Sequence, residues 1–262
     1  MSDLAAHAAP VKALSDARTM ATRCLRLSSR NVDALVTALA LPIVLMLLFV
    51  ELFGGAIDTG GDYVTYVVPG VLLLCAAFGS ATTAVSVTSD LTGGIVDRLR
   101  SMDVGGPAML AGHVVATVLR NAVSTVLVVG VALLIGFRPH AGVLDWVAAA
   151  AVLAAFVCAA SWLAAALGLV ARSPEAANGL TFLVIFLPYP SSAFVPIDTM
   201  PSWLQGFAHH QPVTPVVETL RGLLLGTPIG SSAVEALAWC GGITLVAVAC
   251  SSVLFRRRTQ GS

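Results

Sequence analysis

The chain has 262 residues, of which 57% are hydrophobic and only 11% are charged, and its 14 basic residues balance its 14 acidic residues. A soluble domain carries about 25% charged residues, so this composition excludes an ordinary soluble protein. The balanced charge gives no indication of nucleic acid as a partner. A single integral-membrane domain over residues 1–262 is the simplest expectation for this length.

The N-terminal region is polar and basic. Residues 12–30, with the sequence KALSDARTMATRCLRLSSR, place Leu14, Ala17 and Ala21 at helical spacing among arginines. This pattern predicts an amphipathic helix that lies on the inner membrane surface. The alternative is a topology signal with no further role.

Six apolar segments are long enough to cross a bilayer, because a spanning helix needs about 20 mostly apolar residues. They are residues 33–53, 64–88, 108–136, 146–171, 176–195 and 233–255. The fifth contains Pro188 and Pro190 and is expected to bend or end there. With the N-terminus inside, only Arg138 and Arg221 fall outside, and Arg120 lies within the third segment. This bias predicts that both termini are cytoplasmic.

The loop that follows the second span, residues 90–104, contains the amphipathic stretch IVDRLRSM. Gly93 and Gly94 precede it, and Gly105 and Gly106 follow it. Because glycine pairs interrupt helices, the pattern predicts a short helix set off by flexible joints. The segment is either a docking element or a solvated charged loop.

The second span carries small and hydroxyl residues on one helical face, among them Gly79, Thr82, Thr83 and Ser86. In lipid such residues allow helices to approach closely and to form hydrogen bonds across the contact. The face either packs against protein or lines a cavity, and we favour packing.

The turn before the fifth span has a helix-start signal. Ser173 can serve as N-cap, Pro174 suits the first helical position, and Glu175 complements the positive helix end.

The segment VPIDTMPSWLQGFAHHQPVTPV, residues 195–216, holds four prolines just before the last span. It predicts two short helices on the outer face over residues 196–227, the second with Thr214 as N-cap, Pro215 at the first helical position and Gly226 as its stop. Trp203 and Phe207 are expected to dip into the membrane boundary.

Motifs for catalysis are absent from the sequence, which contains no GxxxxGK[ST], HExxH or GxSxG. The five cysteines show no metal-ligand spacing. We therefore expect no catalytic residues and no metal site in this chain. A non-transporting membrane scaffold or an intramembrane enzyme remains the alternative class of protein.

Two stretches carry a resemblance to a known family, namely GGIVDRLRSMDVGGPAMLAGHVVATVLRN and SSAFVPIDTMPSWLQGFAHHQPVTPVVETLRGLLLG. Together with the order of six spans, they make the chain similar over nearly its whole length to the permease subunits of type-2 ABC exporters. The similarity is strongest to the daunorubicin-resistance permease group. The sequence departs from that group at Asp103, where proline is expected, and at Gly93, where a basic residue is frequent.

The resemblance implies a permease that has no ATPase site of its own and binds no cofactor. A separate ATPase subunit would bind ATP and Mg, and a second permease copy, identical or related, would complete the complex in the lipid of a bacterial cytoplasmic membrane. The implied cargo is a hydrophobic or amphiphilic small molecule such as a drug, a secondary metabolite or a lipid. The alternative cargo is a lipid-linked glycan or polysaccharide. An aromatic content of 6% favours the hydrophobic cargo.

The resemblance also implies roles for three sets of residues. The residues that would contact the ATPase are Ile95, Asp97, Arg98, Leu99, Arg100 and Ser101. The residues that would line a path between two permease copies are Gly79, Thr82, Thr83, Ser86, Phe182 and Phe186. The residues that would form an extracellular gate are Pro196, Trp203, Phe207, Pro212, Pro215, Glu218 and Arg221.

Overall fold

The computed structural model describes residues 19, 21, 22, 32–53, 62–94 and 106–260. These residues form helices and turns, with no strand among them, so the predicted all-α class is confirmed for this part of the chain. The helices are α1 (Val32–Phe53), α2 (Tyr63–Thr92), α3 (Gly106–Leu134), α4 (Val143–Val170), α5 (Pro174–Phe186), α6 (Ser202–His210), α7 (Val213–Leu225) and α8 (Ser232–Gln260). A single 3₁₀ turn, Ile197–Thr199, precedes α6.

Four of these helices, α2, α3, α4 and α8, are long and apolar enough to cross a membrane. Helix α1 contributes a shorter apolar stretch, Ala40–Leu52, and α5 has only 13 residues. In the described ranges, four of the six predicted spans are therefore full-length membrane helices. Of the predicted interfacial helix, only residues 19, 21 and 22 are described, and they are helical.

Helix α2 lies at the centre of the bundle and packs against α1, α3, α4, α5 and α7. It can do so because it is apolar or small on nearly every side, with a run of fully buried residues from Val67 to Ala77. We call the end of the bundle that holds the C-terminus of α2 and the N-terminus of α3 the inner end, and the opposite end the outer end.

Helix α4 packs against α2, α3, α5, α7 and α8, as its alanine-rich sequence indicates. Gly168 lies so close to α2 that an added Cβ would come within 2.5 Å of the Ala84 carbonyl oxygen. The Thr88 hydroxyl donates a hydrogen bond to the Gly168 carbonyl at 2.8 Å. At the inner end, Arg258 of α8 donates to the Ala171 carbonyl just past α4 at 2.7 Å. Such terminal carbonyls have no partner within their own helix.

The fifth predicted span is interrupted, as expected from its prolines. Helix α5 ends at Phe186, two residues before Pro188, and the chain continues in turns through residues 187–194. Proline disfavours helical backbone in the residue before it and lacks the N–H that a helix needs. At the start of α5, Ser173 is the N-cap and accepts a hydrogen bond from the Ala176 N–H at 3.2 Å, which confirms the predicted cap.

Candidate functional site

The most irregular part of the described chain is the outer segment, which we define as residues 187–196. Ser191, Ser192, Ala193 and Phe194 have at most 3% of their surface exposed, although none is in a helix. Non-helical backbone at membrane depth is tolerated only where protein or a water-filled cavity surrounds it. The outer segment meets this condition by lying against α2. At the contact, an added Cβ on Gly70 would approach the Ala193 carbonyl oxygen to 2.5 Å.

Side chains from other elements satisfy the carbonyl groups of the outer segment. The Tyr66 hydroxyl donates to the Ser192 carbonyl at 2.9 Å, and the Tyr63 hydroxyl donates to the Phe194 carbonyl at 3.0 Å. These bonds replace the helical ladder that the prolines prevent.

From the other side, Gln211, between α6 and α7, donates through Nε2 to the Pro190 carbonyl at 2.8 Å. Within the segment, the Ser191 hydroxyl donates to the Pro188 carbonyl and accepts from the Ala193 N–H. The segment is therefore held between α2 and the two short outer helices.

Arg221 of α7 is buried beside the outer segment, with 9% of its surface exposed. Its Nη2 donates to the Ser192 carbonyl at 2.9 Å and to the Tyr66 carbonyl at 3.2 Å, while Nη1 donates to Glu218 Oε1 at 2.9 Å. Its guanidinium carbon lies 3.9 Å from the centroid of the Tyr66 ring. A buried charge needs such partners, and Arg221 fastens α7 to both α2 and the outer segment.

The two predicted short helices are present as α6 and α7, but the start of α7 differs from the prediction. Its N-cap is Pro212, and the Thr214 hydroxyl donates to the Ala208 carbonyl of α6 at 2.6 Å, so Thr214 is not the cap. Pro215 is buried in the first turn, where its missing N–H has no helical partner to lose. Gly226 ends α7 with a left-handed φ of 71°, as predicted.

The remaining predicted gate residues lie at the outer surface or beside it. Trp203 and Phe207 of α6 are 79% and 51% exposed, and Pro196 is half-buried before the 3₁₀ turn. Exposed aromatic residues on a short outer helix are typical of a membrane boundary. Arg221, Glu218 and the outer segment are thus joined by direct contacts, whereas Trp203 and Phe207 face outward.

A row of aromatic rings follows α5 into the outer segment. Phe182 stacks on Phe186 with centroids 5.8 Å apart, Phe186 lies 5.6 Å from Tyr189, and Tyr189 lies 5.5 Å from Phe194. Phe194 in turn stacks on Phe49 of α1 at 4.6 Å. Phe182 and Phe186 are exposed on the bundle surface, so the row begins at the surface and ends in the core.

The polar face of α2 packs against α3. The Thr83 and Thr117 hydroxyls are 2.8 Å apart, and an added Cβ on Gly79 would collide with the side chain of Asn121. Arg120 donates through Nη2 to the Thr82 hydroxyl at 2.6 Å. These contacts agree with the packing expected from small and hydroxyl residues.

Ser86, also on the polar face, donates to the Thr82 carbonyl of its own helix at 2.9 Å and is half-buried. Of the predicted path residues, Gly79, Thr82 and Thr83 therefore contact α3, while Phe182 and Phe186 lie exposed on α5.

At the inner end, Asp90 of α2 and His113 of α3 form a contact that the sequence did not predict. The Asp90 Oδ2 and His113 Nε2 atoms are 3.0 Å apart, and both residues are buried. The sequence places Asp90 on the polar face of the second span, but it does not show the partner on α3.

The predicted ATPase-contacting residues, 95–101, lie outside the described residues. Their flanks are described. Helix α2 ends at Thr92, Gly94 has a left-handed φ of 70°, and α3 begins at Gly106. The glycine pair at 93–94 thus ends the helix, as predicted.

The titratable groups do not form a metal site among the residues with described side chains. The described cysteines Cys75, Cys158, Cys240 and Cys250 are free thiols. At the turn between α4 and α5, hydrogen bonds from its own backbone N–H and from Ser173 hold the pKa of Glu175 below its ordinary value.

These features define a class of protein, a multi-pass helical membrane protein with a buried, non-helical segment near one end of its bundle. Comparison with known proteins gives the family. The family described as ABC-2 type transporter matches residues 16–225, and the chain belongs to this family of membrane-spanning transporter subunits.

Two groups of similar proteins support this family assignment. The chain is 35% identical to a daunorubicin resistance ABC transporter permease protein, DrrB1, of Streptomyces coeruleorubidus. The alignment spans 195 residues, which is 74% of this chain and 69% of that protein. It is 25% identical over 234 residues to a probable doxorubicin resistance ABC transporter permease protein, DrrC, of two Mycobacterium tuberculosis strains, covering 87% of this chain and 84% of theirs. The chain is thus an ABC-2 permease, a multi-pass protein of the bacterial plasma membrane, and the resemblance drawn from its two motifs is confirmed.

Proposed function

We propose that this chain is the permease of an ATP-driven exporter that moves a hydrophobic or amphiphilic small molecule out across the cytoplasmic membrane. The observation that carries the proposal is the 35% identity, over 74% of this chain, to a permease named for daunorubicin resistance. Anthracyclines such as daunorubicin are amphiphilic, so the cargo class follows from that name. A drug, a secondary metabolite or a lipid would meet the same description.

The proposed topology has six spans with both termini in the cytoplasm. Helix α1 supports it, because its 22 residues rise about 33 Å, enough to cross a hydrocarbon core that is about 30 Å thick. Helix α5 and the outer segment together would form the fifth span. In this topology the inner end of the bundle is cytoplasmic, and α6 and α7 form a re-entrant pair at the outer face.

ATP hydrolysis is assigned to a separate ATPase subunit, which would bind ATP and Mg. The sequence supports this division because it has no phosphate-binding loop. Residues 95–101 would form the helix that docks on the ATPase, with Asp97 and Arg98 as its charged contacts. Two permease copies would form the complex, and the exposed rings of Phe182 and Phe186 would face the path between them.

The outer segment and α7 form the proposed extracellular gate. Arg221 supports this role, since it ties α7, α2 and the outer segment through three backbone or side-chain acceptors. Opening the path at this end would require these bonds to exchange partners, whereas the surrounding helices could stay intact.

The test of the partner is co-purification. We expect an ATPase subunit to co-purify with the tagged chain, and we expect the double variant Asp97→Ala with Arg98→Ala to insert normally but to lose the ATPase or its cargo-dependent hydrolysis. Arg257→Ala is the matched control, because Arg257 is an exposed arginine at the inner end. A wild-type chain that retains no ATPase would contradict the proposed function, and a double variant with unchanged association and transport would contradict the docking role.

The test of the cargo is stimulation of ATP hydrolysis by the reconstituted complex. Amphiphilic drugs, phospholipids and a polyprenyl-linked oligosaccharide are compared at equal concentration. We expect stimulation by the first or second class. Stimulation by the oligosaccharide alone would favour glycan export instead.

A further inference from the structure

The inference concerns the buried pair of Asp90 and His113, whose pairing the sequence did not predict. Asp90 lies two residues before the end of α2, and His113 lies in the second turn of α3. Their side chains are 12% and 7% exposed, and Oδ2 and Nε2 are 3.0 Å apart. The pair therefore joins the two helices immediately above the segment that connects them.

The surroundings of the pair make the interaction strong. An apolar cluster that includes Val87 and Leu91 of α2 and Met109 and Leu110 of α3 lies within one turn of it. A hydrogen bond between buried side chains is stronger where water is excluded, and a buried polar group that loses a partner is costly. The pair is thus a buried hydrogen-bonded contact between the inner ends of α2 and α3.

The contacts above the pair continue it toward the middle of the bundle. Thr83 meets Thr117 at 2.8 Å two turns up α2, and Gly79 packs against Asn121 one turn further. Polar side chains of the two helices therefore meet at Asp90 and at Thr83, and the helices approach closely at Gly79. These contacts hold the two helices in register over about three turns, so we expect the hairpin to move as one body.

The connecting segment, by contrast, begins at a glycine pair. Gly93 and Gly94 end α2, and Gly94 has a φ of 70° that side-chain-bearing residues rarely adopt. In the proposed exporter, movement of residues 95–101 by the ATPase is transmitted into the membrane only if α2 and α3 move together. Among the described contacts between α2 and α3, the hydrogen bond nearest to this segment joins Asp90 and His113.

We propose that Asp90 and His113 are positioning residues, which couple ATP hydrolysis on the partner to movement of the α2–α3 hairpin. This inference rests on the proposed function of the chain as an ABC exporter permease. Neither residue touches ATP or cargo. In variants that lose the pair, the ATPase stays bound and active, but less cargo is transported per ATP hydrolysed.

The experiment measures cargo transported per ATP hydrolysed by the purified complex in vesicles. The variants are Asp90→Asn, His113→Gln and the exchange Asp90→His with His113→Asp, which restores an acid beside an imidazole in reversed positions. Ser89→Ala is the matched control, because Ser89 precedes Asp90 on the same turn but is exposed. The amount of co-purified ATPase and its KM for ATP are recorded for every variant.

We expect each single variant to retain the ATPase and its KM but to transport about tenfold less cargo per ATP, a loss typical of coupling between sites. The exchange variant is expected to recover most of this ratio, and Ser89→Ala to match the wild type. A merely structural role would lower both activities in parallel with the amount of complex. If the single variants do not assemble, the exchange variant provides the test. Wild-type transport per ATP in the exchange variant supports the inference, whereas ATP hydrolysis without transport in that variant overturns it.

Failure of the proposed function can be distinguished from failure of this inference alone. A wild-type complex that shows no cargo-stimulated hydrolysis overturns the proposed function and this inference with it. A wild-type complex that is coupled, with single variants of unchanged transport per ATP, overturns the inference alone.

Discussion

Replacing Gly70 with alanine places a methyl group in the closest contact between α2 and the outer segment. The new Cβ would lie 2.5 Å from the Ala193 carbonyl oxygen, 2.8 Å from the Ala193 Cβ and 2.9 Å from its carbonyl carbon. Non-bonded heavy atoms rest at about 3.5 Å or more, so the two backbones must part by roughly 1 Å. No flexible side chain can absorb this shift, because the colliding atoms are backbone or Cβ.

The displacement has a calculable consequence. Overpacking a close contact costs about 1–3 kcal/mol, and here it also stretches the bonds that hold the neighbouring Ser192 and Phe194 carbonyls. We expect Gly70→Ala to lower the free energy of unfolding by about 2 kcal/mol. For a chain of this size that corresponds to a drop of about 4–8 °C in Tm.

The assay is thermal unfolding of the purified permease in detergent, followed with a thiol-reactive dye. Cys75 and Cys240 are buried and react only as the bundle opens, whereas the exposed Cys250 sets the starting signal. Gly130→Ala is the matched control, since Gly130 lies inside α3 and an added Cβ there meets nothing within 4 Å. Alanine favours a helix by up to about 1 kcal/mol over glycine, so the control should unfold at the wild-type temperature or above it. Equal Tm values for the two variants would refute the argument from close packing.

Three further outcomes follow from single contacts. Arg221→Lys should lower the free energy of unfolding by about 2–3 kcal/mol in the same assay, because one ammonium nitrogen cannot keep both the Nη2 bonds to the two carbonyls and the Nη1 bond to Glu218, and an unchanged Tm would contradict the buried fork. Ser173→Ala should cost about 1 kcal/mol by removing the cap of α5, whereas Ser173→Asn should restore it. Thr83→Val and Thr117→Val should each destabilise the bundle, and a double variant with strictly additive losses in a thermodynamic cycle would contradict their hydrogen bond.

Local signals in the sequence predicted local structure well. Ser173 caps α5 because its hydroxyl needs only an N–H three residues away, and Gly226 ends α7 because a left-handed backbone favours glycine. The polar face of α2 was predictable for the same reason, since helical spacing alone places Gly79 and Thr83 together.

Contacts across the chain were not predictable in this way. Thr214 carries a capping side chain, but its hydroxyl bonds to the Ala208 carbonyl of the preceding helix, and this tertiary bond displaces the local cap. Tyr66 and Ser192 are 126 positions apart, so no spacing rule connects them. The pairing of Asp90 with His113 was not predictable either, because it depends on how far the two antiparallel helices are shifted along each other. The docking role of residues 95–101 stays a prediction.

The outer segment has its hydrogen bonds distributed over separate side chains, and this has a kinetic consequence. A helix melts cooperatively, because each broken bond exposes the next turn, and re-forming it requires a costly nucleus. The tyrosine, glutamine and arginine bonds to the outer segment have no such order, and each can be exchanged for water independently. We therefore expect this segment to rearrange through small successive barriers, on the time scale of loop motion and without unwinding α5 or α7.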